Sequence, residues 1–256
     1  MQREWTVFIL LAVAAVLAPD HLGAQWKTPW DYEGARGAEH WSALDPDYAV
    51  CNAGREQSPI DIRNAKQAAL PALAFEYKSG PLEYLINNGH TIRVNYHDPS
   101  GAGNFLIVGG KRYQLAQFHF HRPSEEHVNG KQYDMVLHLM HKSDDGSIAG
   151  VAVFLKAGSA NSTIQEIWDH MPKSESKEMA VPGVKINPAG MLPRDSGYYS
   201  YMGSLTAPPC TEGVQWFVLK TPIDISPEQI SVFSNLYPDD ARPLQPLNGR
   251  IVKESQ

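Results

Sequence analysis

A chain of 256 residues with 43% apolar, 20% charged and 10% aromatic residues has the composition of a folded globular protein, not of a disordered or fibrous one. Its net charge of -6, with no Lys/Arg stripe, gives no electrostatic case for nucleic acid as a partner. There is no internal repeat, no low-complexity tract and no linker that would split the chain.

Arg3 precedes an apolar run from Trp5 to Leu17, too short to span a bilayer comfortably, followed by Pro19 and a small-residue site ending near Ala24. This predicts a secretory signal peptide over residues 1–24. The mature chain, 25–256, would then be one domain in the periplasm or outside the cell. An N-terminal membrane anchor is the alternative. No later segment is long and apolar enough to span. Export gives meaning to the two cysteines, because an oxidising compartment would pair Cys51 with Cys210.

From Trp26 to Tyr48 the chain is rich in aromatics and Gly without clean periodicity, which predicts an irregular segment laid over the body. Gln57 to Ile62 is a short extended piece with Pro59 fixing its start. Short stretches with turn chemistry between them follow. Leu82 to Ile86 stops at Asn87-Asn88-Gly89. Thr91 to Tyr96 stops at Asp98-Pro99-Ser100-Gly101. Phe105 to Val108 stops at Gly109-Gly110, and Ile148 to Lys156 follows Asp144-Asp145-Gly146. This is the pattern of a strand-rich domain. Two helices are predicted on its surface. One has Ser162 and Gln165 as a capping box with Ile164, Ile167, Trp168 and Met171 at helical spacing. The other has Ser226 and Gln229 as the box and Pro227 at the first turn.

The stretch with chemical content is Gln117-Phe118-His119-Phe120-His121. Alternation along a strand puts His119 and His121 on one face and both phenylalanines on the other. Val136-Leu137-His138-Leu139-Met140 alternates in the same way, and Asn129-Gly130 between the two runs is a hairpin signal. Antiparallel pairing would bring His138 to the face of His119 and His121. Three neutral imidazoles without a thiolate suit zinc, and they leave a fourth position of the catalytic kind. Most of the other histidines lack such a partner. His40, His97 and His170 have no useful spacing, His127 follows two glutamates, and His141, three after His138, faces away from it. A second reading stays open on these residues alone. His119-x-His121 followed by Glu125 also resembles the first metal motif of cupins, which would favour iron or manganese; the only remaining downstream His is His170, on a predicted helix.

Six blocks in order carry a more specific resemblance: Gln57 to Ile62, Asn88-Gly89-His90, Gln117 to His121, Ser124-Glu125-Glu126-His127, His138 to His141, and Gly203 to Cys210. Together they resemble an alpha-class carbonic anhydrase of the exported bacterial kind. The resemblance runs from about Trp30 to Val252. It implies a mostly β fold, a large twisted and mainly antiparallel sheet with short surface helices and a conical cleft. It implies cis bonds before Pro59 and Pro209, and Zn2+ on His119, His121 and His138. It implies hydration of carbon dioxide to bicarbonate by zinc-bound hydroxide. Carbonic anhydrase is the established example of a metal lowering the pKa of water, to about 7 from about 15.7.

The match also assigns roles. Thr206 would accept a hydrogen bond from the hydroxide and donate to Glu126. His90 would be the proton shuttle, and Gln117 would accept the second ring proton of His119. Met140, Leu205 and Trp216 would form the apolar wall for carbon dioxide, with Gly150 in place of a bulkier residue. Sulfonamides and anions would inhibit. One departure stands out: the best-known members have Glu two residues before the third ligand, where this chain has Val136. On the sequence, the zinc should therefore be held less tightly than in the Glu type, unless a water or another acceptor substitutes. Nothing in the sequence chooses between monomer and dimer.

Overall fold

The computed structural model describes residues 28–97 and 103–256. The signal peptide expected over 1–24 and the turn expected at 98–101 lie outside the described residues.

A twelve-stranded mixed sheet organises the chain. Its main path runs Lys66–Ala68, Lys253–Ser255, Tyr198–Ser204, Glu212–Leu219, Ile148–Ala157, Met135–Lys142, Lys111–His121, Ile92–Asn95, Leu85–Asn87. Most pairs are antiparallel, but Ile148–Ala157 runs parallel to Glu212–Leu219 and to Ile223–Ile225. The strands expected from turn chemistry are present within a few residues. Tyr198–Ser204 and Glu212–Leu219 were not legible, because their small and polar residues break the apolar alternation.

The two central strands are covered on both faces. Met135 to His141 are all buried, as are Ala149 to Leu155. On one face Phe118, Phe120, Leu137, Leu139, Val151 and Val153 belong to the main core. On the other, Val136, Met140, Ala152, Phe154 and Trp216 pack with Ile60 and Ile62. Burying a side chain of this size contributes about 1.5–3 kcal/mol, so a one-residue slip of register would cost the pairing several such terms at once.

Both expected helices lie over the main core. Ser162–Trp168 buries Ile164, Ile167 and Trp168, and the Trp168 ring sits 4.7 Å from Phe120 and 5.6 Å from Phe233 of the second helix, Pro227–Ser234. The second helix begins as expected, with Ser226 and Gln229 forming a reciprocal capping box. The first is capped one residue earlier than expected. Asn161, not Ser162, accepts from the backbone N–H of Ile164, and Gln165 instead bonds Asp169.

The N-terminal segment forms short helical turns, 34–36, 41–44, 46–48 and 50–53. Trp30, Trp41 and Tyr48 pack there with Cys51 and Cys210, which are disulfide-bonded. The bonds before Pro59 and Pro209 are cis, and so is a third, before Pro123. Among the described residues no helix is long and apolar enough to cross a membrane.

Candidate metal centre

Antiparallel pairing sets His138 directly opposite His119, with Val136 opposite His121. Asn129 and Gly130 both have positive φ and close a two-residue turn between Val128 and Lys131. That turn lies inside the 122–134 connection, which is longer than a tight hairpin and also pairs His127 and Val128 with Asp61 and Ile62.

The three imidazoles converge. Ring centroids lie 4.9 Å apart for His119 and His121, 5.3 Å for His119 and His138, and 5.0 Å for His121 and His138. One nitrogen from each ring falls within 4.8 Å of the others. The remaining nitrogen of each ring has its own partner. His119 Nδ1 lies 2.8 Å from Gln117 Oε1, His121 Nδ1 lies 2.8 Å from the Asp240 carbonyl oxygen, and His138 Nε2 lies 3.1 Å from Glu126 Oε2. These contacts fix the tautomers: the outer nitrogen donates, and the inner one keeps its lone pair. His121 Nε2 and His138 Nδ1 are buried with no hydrogen-bond partner. A buried polar atom without a partner is costly, and two aimed at one point are what a cation would satisfy. The donor set fits zinc.

At His119 and His121 the electrostatics agree with neutral ligands. Burial, and then the neighbouring histidines, push His119 and His121 well below the ordinary imidazole range. Burial pushes His138 down as well, but the Glu126 and Glu125 carboxylates more than offset it. Arg122 holds Asp240 from both sides, its N–H donating to Asp240 Oδ1 at 2.6 Å and its carbonyl accepting from Asp240 N at 2.9 Å, so the carbonyl facing His121 is fixed.

One sequence expectation is corrected here, and one gap is filled. Thr206 acts on Glu125 as a hydrogen-bond donor, not on Glu126. Burial raises the Glu125 carboxyl to about 7, against the pull of His138, Thr206 and the Arg242 N–H, which donates to Oε1 at 2.8 Å. Glu126 instead faces His138. The reason is local: both glutamates turn inward from an irregular bend and both carboxylates reach the His138 ring, Glu125 at 3.7 Å and Glu126 at 3.1 Å, so nothing in the sequence pattern tells them apart. The acceptor missing at Val136 is supplied from elsewhere, because the Glu126 carboxylate reaches the His138 ring.

The other expected residues surround the same pocket. His90, Gln117, Met140, Leu205, Thr206 and Trp216 all line it. The His90 ring stacks on Trp30 at 3.7 Å, and its Nε2 donates to the Trp30 carbonyl at 2.9 Å. Burial lowers its pKa. Gly150 lies against the Trp216 ring, where a Cβ would come within 2.7 Å, so the indole occupies the space a larger residue would take. Arg93 was missed. It pairs across from His119 and lines the pocket, and only its position two residues beyond Thr91 on the Ile92–Asn95 strand could have pointed to it.

Fold and site define the class: a sheet-built protein whose pocket floor is a three-imidazole cage. Comparison with known proteins then gives the particular family. Residues 36–256 match the eukaryotic-type carbonic anhydrase family. The chain is 43% identical over 231 residues to a carbonic anhydrase of Nostoc sp., covering 88% of this chain and 86% of that one. It is 39% identical over 254 residues to that of Neisseria gonorrhoeae, covering 97% and 96%. The alpha-carbonic anhydrase from Thermovibrio ammonificans, solved with the inhibitor sulfanilamide, matches with a TM-score of 0.83 at 41% identity, covering 90% of this chain and 99% of that one. The chain belongs to the carbonic anhydrase family and is one of its enzymes, a carbonate dehydratase.

Proposed function

We propose that this enzyme hydrates carbon dioxide reversibly to bicarbonate and a proton, with one zinc ion held by His119, His121 and His138. The observation that carries this reading is the convergence of three ring nitrogens, two of them buried and unpartnered. Zinc bound there supplies the acidity that makes water a nucleophile at neutral pH.

The chain's own residues would do the rest. Thr206 donates its proton to Glu125, so its hydroxyl presents lone pairs to the pocket and accepts a hydrogen bond from the nucleophile, turning it towards carbon dioxide. Met140, Leu205 and Trp216 give an apolar, uncharged molecule a wall to rest on. Gln117 keeps the His119 ring in the ligating tautomer. His90 would pass the released proton to buffer, and its stacking on Trp30 holds the ring at the pocket. Sulfonamides and simple anions would compete at the same centre. The same reading takes residues 25–256 as the mature, exported and disulfide-closed domain. N-terminal sequencing of the exported protein tests that, with a start near Gln25 expected; retention of 1–24 contradicts it.

Stopped-flow hydration with a pH indicator tests the main proposal. Zinc-loaded protein should catalyse hydration that stripped protein does not, and a sulfonamide should abolish it. Zinc-loaded protein without hydration would overturn the proposal.

A further inference from the structure

Each inner ring nitrogen depends on what the outer one bonds, and the three partners differ in kind. His119 uses an amide oxygen and His121 a backbone carbonyl. Only His138 hydrogen-bonds a carboxylate, Glu126 Oε2 at 3.1 Å; the Asp240 carboxylate comes no nearer than 3.7 Å to His121 Nδ1. Both residues are fully buried. The position on the strand that shares a face with His138, two residues before it, is Val136, packed in the apolar cluster with Phe154 and Trp216.

The carboxylate therefore comes from the 122–134 connection, and its backbone is tethered. The Glu126 carbonyl accepts from Ser124 Oγ at 2.9 Å, and the same Oγ accepts from Tyr133 N at 2.9 Å. The next residue donates from His127 N to the Ile60 carbonyl at 3.2 Å. Glu126 Oε1 is buried and has no hydrogen-bond partner. No lysine or arginine forms an ion pair with Glu126 among the described residues; its only such partner is His138. A buried carboxylate in that setting is a cost to the protein by itself. The cost is offset when a cation sits on the far side of the imidazole that it contacts.

We propose that Glu126 is a positioning residue of the metal centre. It holds the proton on His138 Nε2, aims Nδ1 at the cage and supplies the negative charge that increases the ring's donor strength. It takes over, from a loop, the work that a carboxylate at position 136 could do from the strand. The inference rests on the metal reading above, and it makes a specific claim: the centre needs one carboxylate behind His138, supplied from position 126 or from position 136.

The test is the zinc dissociation rate of the loaded enzyme in chelator competition, with the melting temperature of the stripped protein measured beside it, for wild type, Glu126→Gln, Glu126→Ala and Glu126→Ala with Val136→Glu. Glu126→Gln should release zinc about 10-fold faster and Glu126→Ala up to about 100-fold faster. The stripped Glu126→Gln protein should melt close to stripped wild type, because the amide fills the same space and its oxygen can still accept from His138 Nε2. The double variant should recover retention relative to Glu126→Ala. A purely structural role would lower melting and zinc retention together. Wild-type retention in Glu126→Gln, or parallel loss of both properties with no recovery in the double variant, would overturn the proposal. Failure of the wild type to take up zinc at all would instead overturn the metal reading beneath it.

Discussion

His138 and His141 lie three residues apart on one strand, and both are completely buried. His141 points to the main core. Its Nε2 accepts from the Tyr77 hydroxyl at 2.6 Å, and its Nδ1 faces the Ala149 carbonyl at 3.4 Å. Both nitrogens are accounted for, and burial holds the ring neutral, with a pKa lowered to about 4. His138 points to the other face, where Glu126 takes one nitrogen and the other has no hydrogen-bond partner, Glu125 Oε2 lying 3.7 Å away. Burial alone therefore does not separate a structural histidine from a ligand. The number of nitrogens left without a partner does.

The comparison can be sharpened on the site face first. Thr206→Ala removes the hydroxyl proposed to orient the nucleophile, so kcat should fall by about 10²–10³-fold with zinc content and melting temperature unchanged. Full activity in that variant would leave Thr206 without a role. His90→Ala should slow turnover by roughly 10²-fold in dilute buffer, with recovery on adding imidazole. A slow variant that imidazole does not help would argue against proton relay.

On the core face the expected effect is on stability. The folded state binds a proton at His141 less readily than the unfolded chain does, so unfolding takes up a proton between the two pKa values. The stabilisation is fully present above about pH 6.5 and is lost as pH falls towards about 4. His141→Gln should be less stable at neutral pH. Its deficit should shrink through that window, by at most about 3 kcal/mol, in denaturation curves of the stripped protein. A deficit that does not change with pH would mean that His141 is not held neutral by burial. The smallest effect is expected where the pocket wall meets the sheet. Gly150→Ala forces the buried Trp216 ring to move and should cost roughly 1–3 kcal/mol while retaining zinc.

The two faces were not equally legible in the sequence. The three converging histidines could be read because strand alternation has a fixed period, and the antiparallel pairing that brings His138 to the face of His119 and His121 followed from two runs of the same pattern. The Ser226 capping box was legible because it is a local motif. The partners of the histidines were harder. Glu125 and Glu126 sit in a connection with no period, so the sequence points to Glu126 as the partner of Thr206 where Glu125 stands. Asp240 contributes a backbone carbonyl, which any residue type could supply, and it is 119 residues from His121. Tyr77 meets His141 across 64 residues with no motif at either end.

The most direct test of the account is a zinc titration of stripped protein, compared among wild type, His138→Ala and His141→Ala. Wild type and His141→Ala should each bind one equivalent tightly, while His138→Ala should lose most of the affinity. No zinc uptake by wild type, or equal losses in the two variants, would contradict it.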